Sequence, residues 1–113
     1  MSTTTKSIRA ILRLSYKVAK EELSDYSHTA SPKKYTQPQL FSMLVAKAYM
    51  RMDYRRTSMF FDDFSDARGD IELNEAPHFT TLQKACHRLL KDRQDVTNLL
   101  ERTLEEFSLK NPH

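Results

Sequence analysis

Glycine and cysteine are nearly absent from this 113-residue sequence, which contains only Gly69 and Cys86. Helices do not need glycine, whereas hairpins with tight turns and phosphate-binding loops usually do. The sequence therefore favours an all-α fold and disfavours a P-loop or a dinucleotide-binding turn. A single cysteine excludes an internal disulfide and a cysteine-rich zinc site. It also favours a reducing, cytoplasmic environment.

Long apolar runs are also missing, since no stretch approaches the roughly 20 residues that a membrane span requires. Residues 1–6 are polar, and no apolar region of the signal-peptide type follows them. We therefore expect a soluble, cytoplasmic protein that does not contact a membrane. The length fits one domain, and a hydrophobic fraction of 39% is enough for a modest core.

The net charge of +3 is unevenly distributed along the chain. Residues 1–34 hold seven cations and three anions, and residues 78–94 hold four cations and one anion. Between them, residues 65–77 hold one cation and four anions. Two basic blocks on one small domain would suit a polyanion such as nucleic acid. The alternative is that both blocks are ordinary solvated helix faces.

Hydrophobic periodicity predicts a single all-α domain over residues 1–113, a compact bundle of about five helices. The first helix, 5–26, is amphipathic, with apolar residues on one side and cations on the other. Its cations are Lys6, Arg9, Arg13, Lys17 and Lys20. The second helix, from 36 to about 52, is apolar almost all round, which predicts a central position. Thr36 and Gln39 are spaced for a capping box at its start.

Three further helices follow in the sequence. The third is predicted over 53–64 and the fifth over 95–109. The fourth runs to residue 91, with Thr80 as its N-cap and Gln83 as the capping-box partner. The segment 65–78 is predicted to be an acidic loop with room for one short turn of helix. Arg55 and Arg56 fall in the first turn of the third helix, where cations oppose the helix dipole. They therefore either face an anion or pair with acids nearby.

No set of residues assembles a convincing active site. The four histidines are scattered, and the adjacent residues Cys86 and His87 point in different directions on a helix. Asp62 and Asp63 would serve a metal-dependent nuclease only if they met other ligands in a pocket. We therefore expect no catalytic residue, no metal site, no cofactor and no small-molecule substrate.

Three sequence motifs resemble the N-terminal domain of certain bacterial and archaeal insertion-sequence transposases. They are KYTQPQL at 34–40, DYR at 53–55 and PHFTTLQKA at 77–85, and the resemblance covers roughly residues 34–90. It implies a helix-turn-helix-like domain that binds double-stranded DNA at the ends of the element. Spacing alone supports this only weakly, because the 65–79 connector far exceeds a tight turn.

In that family the domain precedes a ribonuclease-H-like domain with a catalytic Asp-Asp-Glu set and divalent metal. This sequence ends at His113, where that second domain would begin. We therefore expect no enzymatic activity from this chain. It would be a DNA-binding domain, a truncated transposase or a stand-alone regulator.

The fourth helix is the predicted DNA reader. Its candidates for base edges and nearby phosphates are Gln83, Lys84, His87 and Arg88, because amide and cationic side chains match the major groove. Further phosphate contacts are predicted for Thr80, Thr81, Lys91, Arg55, Arg56, Arg9, Arg13, Lys17 and Lys20. The alternative is a helical protein-interaction module, in which the first and fifth helices form a homodimer surface.

Overall fold

The computed structural model describes residues 3–23, 35–91, 101–103 and 105. Five helices lie in the first two ranges: α1 (Thr3–Glu22), α2 (Gln37–Met50), α3 (Tyr54–Asp63), α4 (Ser65–Asp70) and α5 (Phe79–Lys91). Residues 101–103 and 105 are also helical, and the described residues contain no β-strand. The all-α prediction is therefore confirmed. The predicted fifth helix, 95–109, lies mostly outside the described residues.

The first helix packs lengthwise on the second, and its apolar side forms much of the core. The predicted apolar arc is buried, as Ile11, Leu12 and Val18 show. Arg13, Lys17 and Lys20 are exposed on the opposite side. Among the described residues, no helix has both the length and the apolar character that crossing a membrane requires.

The second helix starts at the predicted capping box. The Thr36 hydroxyl accepts from the Gln39 N–H at 3.2 Å, and the Gln39 side-chain oxygen accepts from the Thr36 N–H at 2.9 Å. Pro38 lies in the first turn, where its missing N–H costs nothing. Buried residues face several directions around α2, which confirms its central position.

The third helix begins at Asp53, whose carboxylate accepts from the Arg56 N–H at 2.7 Å. Thr57 and Phe61 face the core, and the helix ends at Phe64. The segment that follows contains the six-residue helix α4, which is longer than the single turn the sequence suggested. Burial of Ala67 and Ile71, four residues apart, holds this segment against the core.

The fifth helix packs against α2 and α3. It begins two residues earlier than an N-cap at Thr80 predicts, and the second predicted capping box is wrong. The ring Nδ1 of His78 accepts from the Thr80 N–H at 3.3 Å, and the His78 carbonyl accepts from the Thr81 N–H at 2.9 Å. Thr80 is therefore the second residue of the helix, and Gln83 is exposed.

Candidate nucleic-acid interface

The two long sides of α5 differ sharply in burial. Leu82, Ala85 and Leu89 are buried on the side that packs on α2 and α3. The opposite side presents exposed polar and basic residues, which are Thr80, Gln83, Lys84, His87 and Arg88. We call these five residues the α5 face. Their spacing of three and four residues places them along one side of a helix.

The α5 face carries cations that form no ion pair with any described acidic residue. No described residue forms an ion pair or hydrogen bond with the side chains of Lys84, His87 or Arg88. The helix itself contains no acidic residue. The face therefore offers two cations, an imidazole and an amide to solvent, all on one rigid element.

A cluster of aromatic and polar groups stands at the start of α5. The His78 and Phe79 rings lie 4.3 Å apart, and the Arg55 guanidinium lies 4.3 Å from the Phe79 ring centroid. The Thr80 hydroxyl is 2.9 Å from Nδ1 of His78. Arg55 therefore joins the first turn of α3 to the first turn of α5. No role was predicted for His78 from the sequence, although its position two residues before Thr80 was an available signal.

Thr81 and Lys91 were also predicted to contact phosphate. Thr81 is half-buried rather than exposed, so its side chain is less available than that of Thr80. Lys91 ends α5, and its side chain lies outside the described residues.

The four α1 cations that were predicted to contact phosphate form two pairs with different surroundings. Arg9 and Arg13 both bind the carboxylate of Asp70, at 2.9 and 3.1 Å. The Asp70 side chain is only 6% exposed, and its hydrogen bond and negative charge raise the pKa of Arg9. Lys17 and Lys20 are exposed, and the Lys20 ammonium lies 5.7 Å from the Tyr16 ring centroid.

Asp70 gives the first pair a structural role that the sequence did not reveal. The two arginines hold α4 against α1, whereas both were predicted to bind DNA phosphates. Because Asp70 already supplies the anion, Arg9 and Arg13 have less to offer a phosphate than Lys17 and Lys20. The ionic partner lies 61 residues from Arg9, so no local pattern indicated it.

The single cysteine faces inward from α5 and is half-buried. Hydrogen bonding with its side chain, together with burial, raises the pKa of Tyr54 to about 12. His87, the next residue, is exposed. Among the described residues, no group of three His, Cys, Asp or Glu side chains is placed to hold a metal ion.

The C-terminal residues that are described lie against α1. Arg102 binds Glu22 at 3.0 Å and Glu21 at 3.9 Å, and Thr103 is fully buried. This part of the predicted fifth helix therefore contacts its own chain, at the end of α1.

Comparison of the chain with protein-family models found no matching family, and comparisons with curated proteins and with solved structures found no match. The resemblance to transposase N-terminal domains therefore stays a prediction that depends on its three motifs.

Proposed function

We propose that this chain binds double-stranded DNA through the α5 face. The observation that carries the proposal is the exposure of Lys84 and Arg88 on one side of α5, with no described acid paired to either. Cations left without partners on a rigid helix attract phosphates and release the counterions around them. A helix of this length also fits the major groove of B-form DNA.

Each side chain of the α5 face has a role that follows from its chemistry. Arg88 pairs with guanine through two parallel hydrogen bonds, and Gln83 pairs with adenine in the same manner. Lys84 and the Thr80 hydroxyl bind phosphate oxygens, which fix the position of the helix on the duplex. Lys17 and Lys20 add attraction that does not depend on base sequence.

The arginines of α3 are left out of this DNA surface. Arg55 and Arg56 were predicted to bind phosphate, but Asp62 and Asp63 are exposed on the same helix. These carboxylates lie about 10 Å from the arginines along the helix axis. They repel a polyanion that would lie along this side of α3. The α3 surface therefore suits a partner that carries both signs of charge.

The resemblance to transposases suggests the DNA target. If the motifs at 34–40, 53–55 and 77–85 reflect shared ancestry, the α5 face recognises the terminal sequences of a mobile element. The chain would then act as the recognition domain of a transposase, or as a regulator that occupies element ends.

Selection of duplexes from a randomised pool tests whether the α5 face reads sequence. We expect enrichment of a defined site, and roughly 5- to 150-fold weaker binding to that site for Arg88→Ala and Gln83→Ala. Lys84→Ala should weaken binding to selected and unselected duplexes alike. Arg51→Gln is the matched control, because it removes an exposed cation outside the face.

A pool that shows no enrichment would contradict base reading. Equal affinities of the wild-type protein and the three α5 variants would contradict the proposal as a whole.

A further inference from the structure

The exposed side of α3 carries an unusual order of charges. Arg55 and Arg56 occupy its first turn, Asp62 and Asp63 its last turn, and Met59 the middle. All five residues are exposed, and Met59 is 62% exposed. No described residue forms an ion pair with any of these four charges.

This order opposes the helix dipole at both ends. Anions are favoured at a helix N-terminus and cations at a C-terminus. The cap residue Asp53 follows this rule, but the charged residues within the first and last turns of α3 have the reverse order. The two charge pairs cannot neutralise each other within the helix, because seven residues separate them by about 10 Å along the axis. An arrangement that is unfavourable in the isolated helix becomes favourable if a partner supplies the opposite charges in the opposite order.

The charges are placed symmetrically about Met59. Arg55 and Asp63 each lie four residues from it, and Arg56 and Asp62 each lie three residues from it. A second copy of α3, run antiparallel across a two-fold axis at Met59, places Arg56 opposite Asp62 of that copy. The same operation places Arg55 opposite Asp63. Every charge on the face then meets its opposite, and each pair occurs twice.

We infer that this chain forms a homodimer in which the exposed sides of two antiparallel α3 helices pack together with Met59 at the two-fold axis. The two methionine side chains supply apolar contact at the centre. The antiparallel helices also place their opposed dipoles side by side.

A second copy fits this surface better than other partners. Nucleic acid is repelled by Asp62 and Asp63, and an acidic protein by the same pair. A basic protein is repelled by Arg55 and Arg56. The interface of two helical turns is smaller than that of a standard complex, so we expect a weak dimer whose population rises with concentration. The inference does not depend on DNA binding.

Charge reversal at one mirror-related pair tests the homodimer without DNA. Sedimentation equilibrium would compare the wild-type protein with Arg56→Asp, Asp62→Arg and the variant that carries both changes. Each single reversal creates two like-charge contacts per dimer, so association should weaken roughly tenfold or more. The combined variant restores both contacts, so its dissociation constant should return to near the wild-type value. An equimolar mixture of the two single variants should form the mixed dimer.

The single variants are not expected to unfold, because each brings α3 into line with its dipole. Circular dichroism checks this, and Arg51→Asp is the matched control for a reversed exposed charge outside both proposed surfaces. Met59→Glu places two carboxylates at the two-fold axis and should also give a monomer.

A wild-type protein that stays monomeric at millimolar concentration would overturn the inference. So would single variants that associate as the wild type does, or a combined variant that stays monomeric. Loss of DNA affinity in Arg56→Asp with unchanged self-association would assign this face to nucleic acid instead.

Discussion

Arg51 ends α2 in the left-handed region of backbone space, with φ 54° and ψ 45°. Its side chain is exposed, and its N–H donates to the Ala48 carbonyl at 3.3 Å. Only glycine adopts this conformation without a steric penalty from Cβ. The sequence places its only glycine, Gly69, elsewhere, so the end of α2 is locally strained.

Arg51→Gly should stabilise the protein by up to about 1 kcal/mol, because it removes the Cβ penalty at the helix end. Urea unfolding measures the change in the free energy of unfolding. Arg51→Ala keeps the Cβ atom and is the control, for which no comparable gain is expected. A loss of stability in Arg51→Gly would show that the arginine side chain contributes more than its backbone conformation costs.

The phenol of Tyr54 should lose its proton at a higher pH than an ordinary tyrosine. Its pKa is raised to about 12, first by the hydrogen bond with Cys86 and then by burial. The ordinary value is about 10. Between these two values the unfolded chain binds fewer protons than the folded one, so folding stability falls as pH rises through this range.

Nuclear magnetic resonance of ring-labelled tyrosine can follow this ionisation. The Cys86→Ala variant removes both the hydrogen bond and the thiolate charge, so the pKa of Tyr54 should move back toward its ordinary value. An unchanged pKa in that variant would assign the shift to burial alone.

At the scale of elements, the start of α2 could be predicted and the start of α5 could not. The capping box at Thr36 and Gln39 depends only on neighbours in sequence, and Pro38 reinforces it. The same T-x-x-Q pattern at Thr80 fails because His78 takes the Thr80 N–H. The position of His78 depends on its contact with Phe79, on which Arg55 of α3 also lies. That contact is tertiary, so local spacing could not indicate it.

The contrast between local patterns and tertiary contacts also explains the other differences between the sequence predictions and the structure. A six-residue helix such as α4 is too short to be stable alone, and burial of Ala67 and Ile71 maintains it. Two exposed sides of helices, on α1 and α5, followed from periodicity. The pairing of Arg9 and Arg13 with Asp70 could not be predicted from periodicity. The same sequence pattern places an arginine on the outer side of a helix whether it faces solvent or an acid that is distant in sequence.

The contrast between the two T-x-x-Q patterns gives a prediction. Thr36→Ala should cost about 1 kcal/mol of stability, because it removes a true N-cap hydrogen bond. Thr80→Ala should cost clearly less, since the His78 ring still accepts from the backbone N–H of residue 80. Thermal or urea unfolding of both variants checks the order. A larger loss for Thr80→Ala would contradict the assignment of the cap to His78.

At the scale of the whole molecule, Asp70 links α4 to α1. Its carboxylate is almost fully buried and binds two arginines, so neutralising it leaves Arg9 without its partner. Asp70→Asn should lower Tm by several degrees. Asp66→Asn removes a charge from the exposed side of the same helix and is the control. Equal Tm values for the two variants would show that the link adds nothing to stability.

The exposed sides of α1, α3 and α5 differ in their charge, and we therefore expect them to bind different partners. The α5 face is cationic, and the exposed side of α3 is mixed and self-complementary. Asp70 binds two of the four α1 cations that were predicted to contact phosphate. In a dimer formed through α3, two α5 faces would be related by a two-fold axis. Dimeric DNA-binding proteins use such symmetry to read two half-sites.

The affinity for duplex DNA as a function of salt concentration tests the central claim most directly. Fluorescence anisotropy would be measured with a labelled duplex for the wild-type protein and for Lys84→Ala. The wild-type affinity should fall steeply as salt rises, and the variant should bind more weakly with a log–log slope smaller by about one. Absence of binding at low salt, or a slope that Lys84→Ala leaves unchanged, would contradict the assignment of the α5 face to DNA.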